Sequence, residues 1–197
     1  RGIRGGLTFV NKHHSEQEFN ASERKSILYI DANNLYGKAL SERLPHSNFV
    51  ELSSEERDKF FYNTDSILKL NNDGEEGYLF EVDLEYPSHL HDKTKDFPLA
   101  PESGEVNEDM ISPFMKNLHD EVHKQRNQVN APFKSCRNFL LTQYDKEHYV
   151  VHFVILKYYL EMGLLLKKVH RAVKFTQKPF LEPYIKYNSE RRAQARN

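Results

Sequence analysis

From Tyr78 to Tyr86 the chain alternates: Tyr78, Phe80, Val82, Leu84 and Tyr86 fall on one side, and Leu79, Glu81, Asp83 and Glu85 on the other. A period of two belongs to an extended strand with one face buried and one wet, the habit of antiparallel sheets. The run Asn71-Asn-Asp-Gly-Glu-Glu-Gly77 before it is turn chemistry, and Pro87 closes it because proline cannot donate to a ladder. Carboxylates at alternating strand positions are expected to face water and keep an edge soluble, in preference to supplying metal ligands.

A second extended segment is built differently. Ile27-Leu28-Tyr29-Ile30 is a continuous apolar run bounded by Lys25-Ser26 and Asn33-Asn34, the pattern of a short, fully buried strand, and Asp31 stands at its C-terminal end. A carboxylate there is either a turn former or a group delivered into a cleft, and spacing alone leaves both open. In one reading Leu35 and Tyr36 are simply buried residues that open the next helix.

Helices announce themselves by their ends. Ser53-Ser54-Glu55-Glu56 makes a capping box for a helix near 54–62 that Asn63 stops. Pro113 to Gln125 reads as a second helix. Phe153, Leu156 and Leu160 place an apolar stripe on a third, which Gly163 ends. Val169, Arg171, Val173 and Phe175 then alternate as a strand, and Pro179 and Pro183 break the chain before a last helix. Residues 11–25 are polar and read as a loop. The expected class is α+β.

With 38% hydrophobic and 12% aromatic residues, 197 residues suffice for a real core. The net charge of −1 gives no global nucleic-acid signature, so DNA binding must be local. Two clusters qualify: Lys167-Lys168 with His170-Arg171 and Lys174, and Arg191-Arg192 with Arg196. Each is either a solvated face or a phosphate track. One cysteine, Cys136, leaves no internal disulfide and fits a reducing compartment. No run of about 18 apolar residues is present to span a membrane. His89-x-His91-Asp92 and His119-x-x-x-His123 have metal-like spacing without a third ligand and read as surface histidines.

Asp31-Ala32-Asn33-Asn34-Leu35-Tyr36-Gly37 resembles motif A of the family B DNA polymerases, commonly Asp-x-x-Ser-Leu-Tyr-Pro. Its Asn-Asn-Leu-Tyr-Gly form looks like that of protein-primed enzymes from self-synthesising DNA transposons, related viruses and linear plasmids. Ile3-Arg4-Gly5-Gly6, about 25 residues upstream of Asp31, is similar to the Tyr-x-Gly-Gly/Ala segment that joins the exonuclease and polymerase modules there, with Ile3 in place of Tyr. Adjacent glycines let the backbone approach a phosphate that Arg4 can neutralise. From Tyr149 to Asn197, Leu156 to Gly163 followed by Lys167 to Phe175 resembles the helix, glycine stop and strand that precede motif B. Motif B, Lys-x-x-x-Asn-Ser-x-Tyr-Gly, and motif C, Tyr-x-Asp-Thr-Asp, do not occur in these residues.

The resemblance implies a partial polymerase palm in four parts. Residues 1–25 would be a linker from an exonuclease module, 26–64 a palm segment with motif A, 65–150 an inserted region that contacts a priming protein, and 151–197 a return to the palm. It implies Asp31 and the Ala32 carbonyl as Mg2+ ligands, Asn34 and Leu35 along a triphosphate, and Tyr36 under the sugar, excluding a 2′-hydroxyl. It implies DNA contacts from Arg4, Gly5, Gly6, Lys167, Lys168 and Arg171. The implied partners are DNA template and primer, deoxynucleoside triphosphates and a priming protein. Two-metal phosphoryl transfer takes carboxylates that hold ions roughly 3.5–4 Å apart, so Asp31 alone is expected to leave the chain catalytically incomplete. The alternative is a non-catalytic module that keeps the fold and binds nucleic acid or protein.

Overall fold

The computed structural model describes Gly2, Arg4, Val10 and residues 28–126 and 135–195. In chain order they form α1 (Leu35–Ser41), β1 (Leu44–Glu51), α2 (Ser54–Tyr62), α3 (Asp65–Leu68), β2 (Glu76–Glu85), α4 (His91–Thr94), β3 (Glu102–Val106), α5 (Pro113–Gln125), β4 (Cys136–Leu140), β5 (Lys146–His152), α6 (Phe153–Glu161), β6 (Leu165–Lys178) and α7 (Glu182–Gln194). The chain is mixed α+β and divides into two compact units, one built on His89–Tyr144 and the other on the segments before and after it.

The larger unit is organised by a four-stranded antiparallel sheet in the order β1-β6-β2-β5. The alternation in β2 becomes its two faces. Tyr78, Phe80, Val82 and Leu84 are buried on the inner face, beside Val151 of β5 and Ala172 of β6. Helices α2 and α6 supply aromatic rings to this face. Phe60 meets Tyr78 and Phe80 edge-on at 5.5 and 5.2 Å, and Phe153 meets Tyr78 at 6.4 Å. Burial of a side chain the size of Phe80, which has no exposed surface, contributes about 1.5–3 kcal/mol.

The helix ends follow their local chemistry. At α2 the Ser53 backbone N–H donates to Glu56 Oε2 at 3.0 Å while the Glu56 N–H donates to Ser53 Oγ at 3.3 Å, the reciprocal capping box, and Asn63 caps the other end. Gly163 ends the turn after α6 with φ 109°, in the left-handed region that favours glycine.

The outer face is less regular, because bulges reset the phase. Glu81 pairs with Arg171 but Val82 with Val169, so His170 is an extra residue in β6. Val169 therefore turns inward, whereas Arg171, Val173 and Phe175 stay on the outer face; the expected four-residue alternation holds only from Arg171 on. On β5 the register slips between Val82 and Leu84, and His148 takes φ 50°.

In the smaller unit β3 pairs antiparallel with β4. Gln143 Nε2 donates to the His91 carbonyl at 2.8 Å and to Thr94 Oγ1 at 2.9 Å, tying the chain after β4 to α4. Ser112 caps α5, with Pro113 in its first turn. Residues 65–88 and 145–150 belong to the sheet-bearing unit. Among the described residues no helix is long and apolar enough to cross a membrane.

Candidate functional site

The strand expected over 27–30 is corrected by the structure. Ile27 lies outside the described residues, and Leu28, Tyr29 and Ile30 form no strand and are 77, 90 and 77% exposed. A strand is held by hydrogen bonds to a neighbour's edge, and among the described residues no strand pairs with this segment. Asp31 and Ala32 follow it on the surface, off the sheet.

The chain then turns. Asn34 adopts φ 57°, ψ 37°, a left-handed conformation that asparagine tolerates well, and its carbonyl accepts the Lys38 N–H at 3.0 Å to start α1. Leu35 and Tyr36 do open the helix, but they are 62 and 88% exposed, so the buried reading of them fails. Gly37 is buried. A Cβ there would come within 2.4 Å of the Asn34 side chain, so glycine seats the amide against the first turn.

α1 packs beside α7, and a cavity of about 620 Å³ opens between them. Its lining is Asn33 and Asn34 from the turn, with Ile185, Asn188, Ser189, Arg192 and Ala193 from α7. The Asn33 and Asn34 amides, the Ser189 hydroxyl and the Arg192 guanidinium around an open cleft suit an anion with several acceptor oxygens, while Asn188 Nδ2 already donates to the Tyr184 carbonyl at 2.8 Å. Sequence reasoning placed Arg192 in a basic cluster but missed Asn188 and Ser189. Only the helical spacing of 185, 188, 189 and 192 could have put those four on one face.

The first basic cluster is differently occupied. Lys167 pairs with Glu85 across strands, and Lys174 Nζ lies 2.5 Å from Glu76. Arg171 grips Glu51 with both nitrogens, Nε to Oε1 at 2.8 Å and Nη2 to Oε2 at 3.0 Å. These contacts hold the Glu51 carboxyl below, and the Lys167 and Arg171 groups above, their ordinary values, each through the hydrogen bond to the partner first. Cations already facing carboxylates do not form an open phosphate track. Lys168 is exposed beside them. Arg4 is half-buried, and Gly5, Gly6 and Arg196 lie outside the described residues.

The acidic face of β2 is also corrected, because it does not simply meet water. The bulges at His148 and His170 bring the two rings together beside Glu81 and Asp83, stacked at 3.8 Å and 23°. His148 Nδ1 lies 2.7 Å from Glu81 Oε1, and the His148 backbone N–H donates to Asp83 Oδ1 at 2.9 Å. His170 Nε2 comes within 2.7 Å of the same oxygen, without the alignment of a hydrogen bond. Burial pushes the Asp83 carboxyl up, but the His148 N–H and then His170 outweigh it and hold it below the usual range. Nothing in a period-two pattern announces a bulge, so this cluster was invisible in the sequence.

Stacked rings direct their in-plane lone pairs past one another and not at one ion. Among the described residues no group of three His, Cys, Asp or Glu is placed to hold a metal. Asp31 and the Ala32 carbonyl offer few of the six oxygens that Mg2+ prefers, so these residues do not by themselves make its site. Comparison with protein-family models, with curated proteins and with solved structures found no match to this chain.

Proposed function

We propose that the chain is part of the palm of a protein-primed family B DNA polymerase, and that the cleft between α1 and α7 receives the phosphates of a deoxynucleoside triphosphate. The observation that carries this reading is the meeting of Asn33 and Asn34, from the segment resembling motif A, with Arg192 around one cavity. Backbone order supports it as well: an antiparallel sheet, a glycine-stopped helix and a long strand lead into α7. In this reading Asn34 and Arg192 hold phosphate oxygens, Tyr36 walls the sugar, and Asp31 stands ready for a metal that needs further carboxylates. Template and primer are the other substrates, and a priming protein is the partner of the region between β2 and β5.

Titration of dATP into the full chain tests the proposal. Binding is expected without magnesium, and Arg192→Ala is expected to weaken it about tenfold, the loss of one charge-assisted contact. Binding indifferent to Arg192, or none at all, overturns the site. Template-directed extension by the isolated chain, lost in Asp31→Ala, would overturn its catalytic incompleteness.

A further inference from the structure

Helix α7 has three distinct sides. Ile185, Asn188, Ser189 and Arg192 face the cleft. Glu182, Lys186 and Glu190 follow each other at four-residue spacing, which places them in one sector as an acid-base-acid stripe. The third sector, at spacings of three and four, carries Tyr184, Tyr187 and Arg191 and no carboxylate.

That third side is unusual for a solvated helix. Tyr184 and Tyr187 are 66 and 56% exposed, and no residue of α7 is buried. Arg191 lies over the Tyr187 ring, its guanidinium carbon 5.3 Å from the centroid. The rise between successive members is about 4.5 and 6 Å, from 1.5 Å per residue. These steps are short enough for successive bases of one strand to reach successive rings. Flat aromatic faces beside a cation with no competing carboxylate are the components of single-strand recognition, in which bases stack on rings and the backbone phosphate meets the charge.

We propose that the Tyr184–Tyr187–Arg191 face of α7 binds single-stranded nucleic acid. A duplex keeps its base faces stacked inside and cannot use these rings. This deepens the polymerase reading and rests on it, since it gives an unpaired template strand a seat on the helix whose other side lines the phosphate cleft.

Fluorescence anisotropy of a labelled oligothymidylate with the full chain tests it. Tyr184→Ala and Tyr187→Ala are each expected to weaken binding about tenfold or more, whereas Tyr187→Trp retains it. Arg191→Gln is expected to reduce the salt slope by about 0.7, one phosphate contact on a single strand. Both tyrosines are mostly exposed, so circular dichroism and unfolding midpoints should stay close to wild type and exclude misfolding. No binding at low salt, wild-type binding by both alanine variants, or equal binding to a duplex overturns the proposal. The readout uses neither Asp31 nor dATP. Loss of dATP binding with oligonucleotide binding intact therefore removes the phosphate-cleft reading alone, and the reverse result removes this one alone.

Discussion

Val82 has no exposed surface, while Ile30, no less hydrophobic, is 77% exposed. The two residues lie in segments of similar character, β2 and the stretch from Leu28 to Asp31, and in the same unit of the molecule. The difference lies in the neighbours. β2 has β6 on one side and β5 on the other, so every inward side chain meets a packed wall. The Leu28 segment has no paired strand among the described residues, and apolar content without a ladder does not make a strand. Burial is conferred by partners and not by composition.

The contrast makes unequal demands on substitution. Phe80→Ala removes a fully buried ring that touches Phe60 and Tyr78, and is expected to cost about 3–5 kcal/mol in chemical denaturation. Tyr29→Ala removes a ring that is 90% exposed, and should change stability by less than about 0.5 kcal/mol. Comparable losses at both positions would break the comparison, because Tyr29 would then be packed.

A smaller effect sharpens the account of the outer face. Asp83→Asn is expected to cost on the order of 1 kcal/mol near neutral pH, through loss of its charge-assisted contact with the His148 N–H. The folded carboxyl is held below its ordinary value, so its stabilisation is full above the unfolded value of about 3.9 and is lost as pH falls through the folded one. The gap between wild type and Asp83→Asn should thus be open above about pH 5 and close as the carboxyl is protonated in acid. A gap that stays fully open in strong acid would mean that Asp83 is not the favoured anion. Burial lowers the His152 imidazole, which disfavours its charged form and acts equally in both proteins.

Much of the scaffold was legible because local rules determine it. The capping box at Ser53, the proline start of α5, the glycine after α6 and the alternation of β2 each fix an element through atoms a few residues apart. What was not legible depends on distant partners. The lack of a paired strand beside Leu28 to Ile30 among the described residues defeated a correct reading of hydrophobicity. The single-residue bulge at His170 turned Val169 inward and aimed a ring at Asp83, and the two bulges together created a cluster with no sequence signature. The basic cluster at 167–174 was read correctly as charged, but its carboxylate partners come from β1 and β2, more than 80 residues away in the chain. The cleft needed the approach of α1 to α7, which joins Asn34 to Arg192 across most of the chain.

The most direct measurement is amide hydrogen exchange on the full chain with and without dATP. Slower exchange is expected in two separated segments at once, the turn around Asn33 and Asn34 and the middle of α7 from Asn188 to Ala193, with no change in the core of β2. Protection of neither segment, or of the sheet alone, would contradict the claim that the exposed turn and α7 together form a nucleotide site.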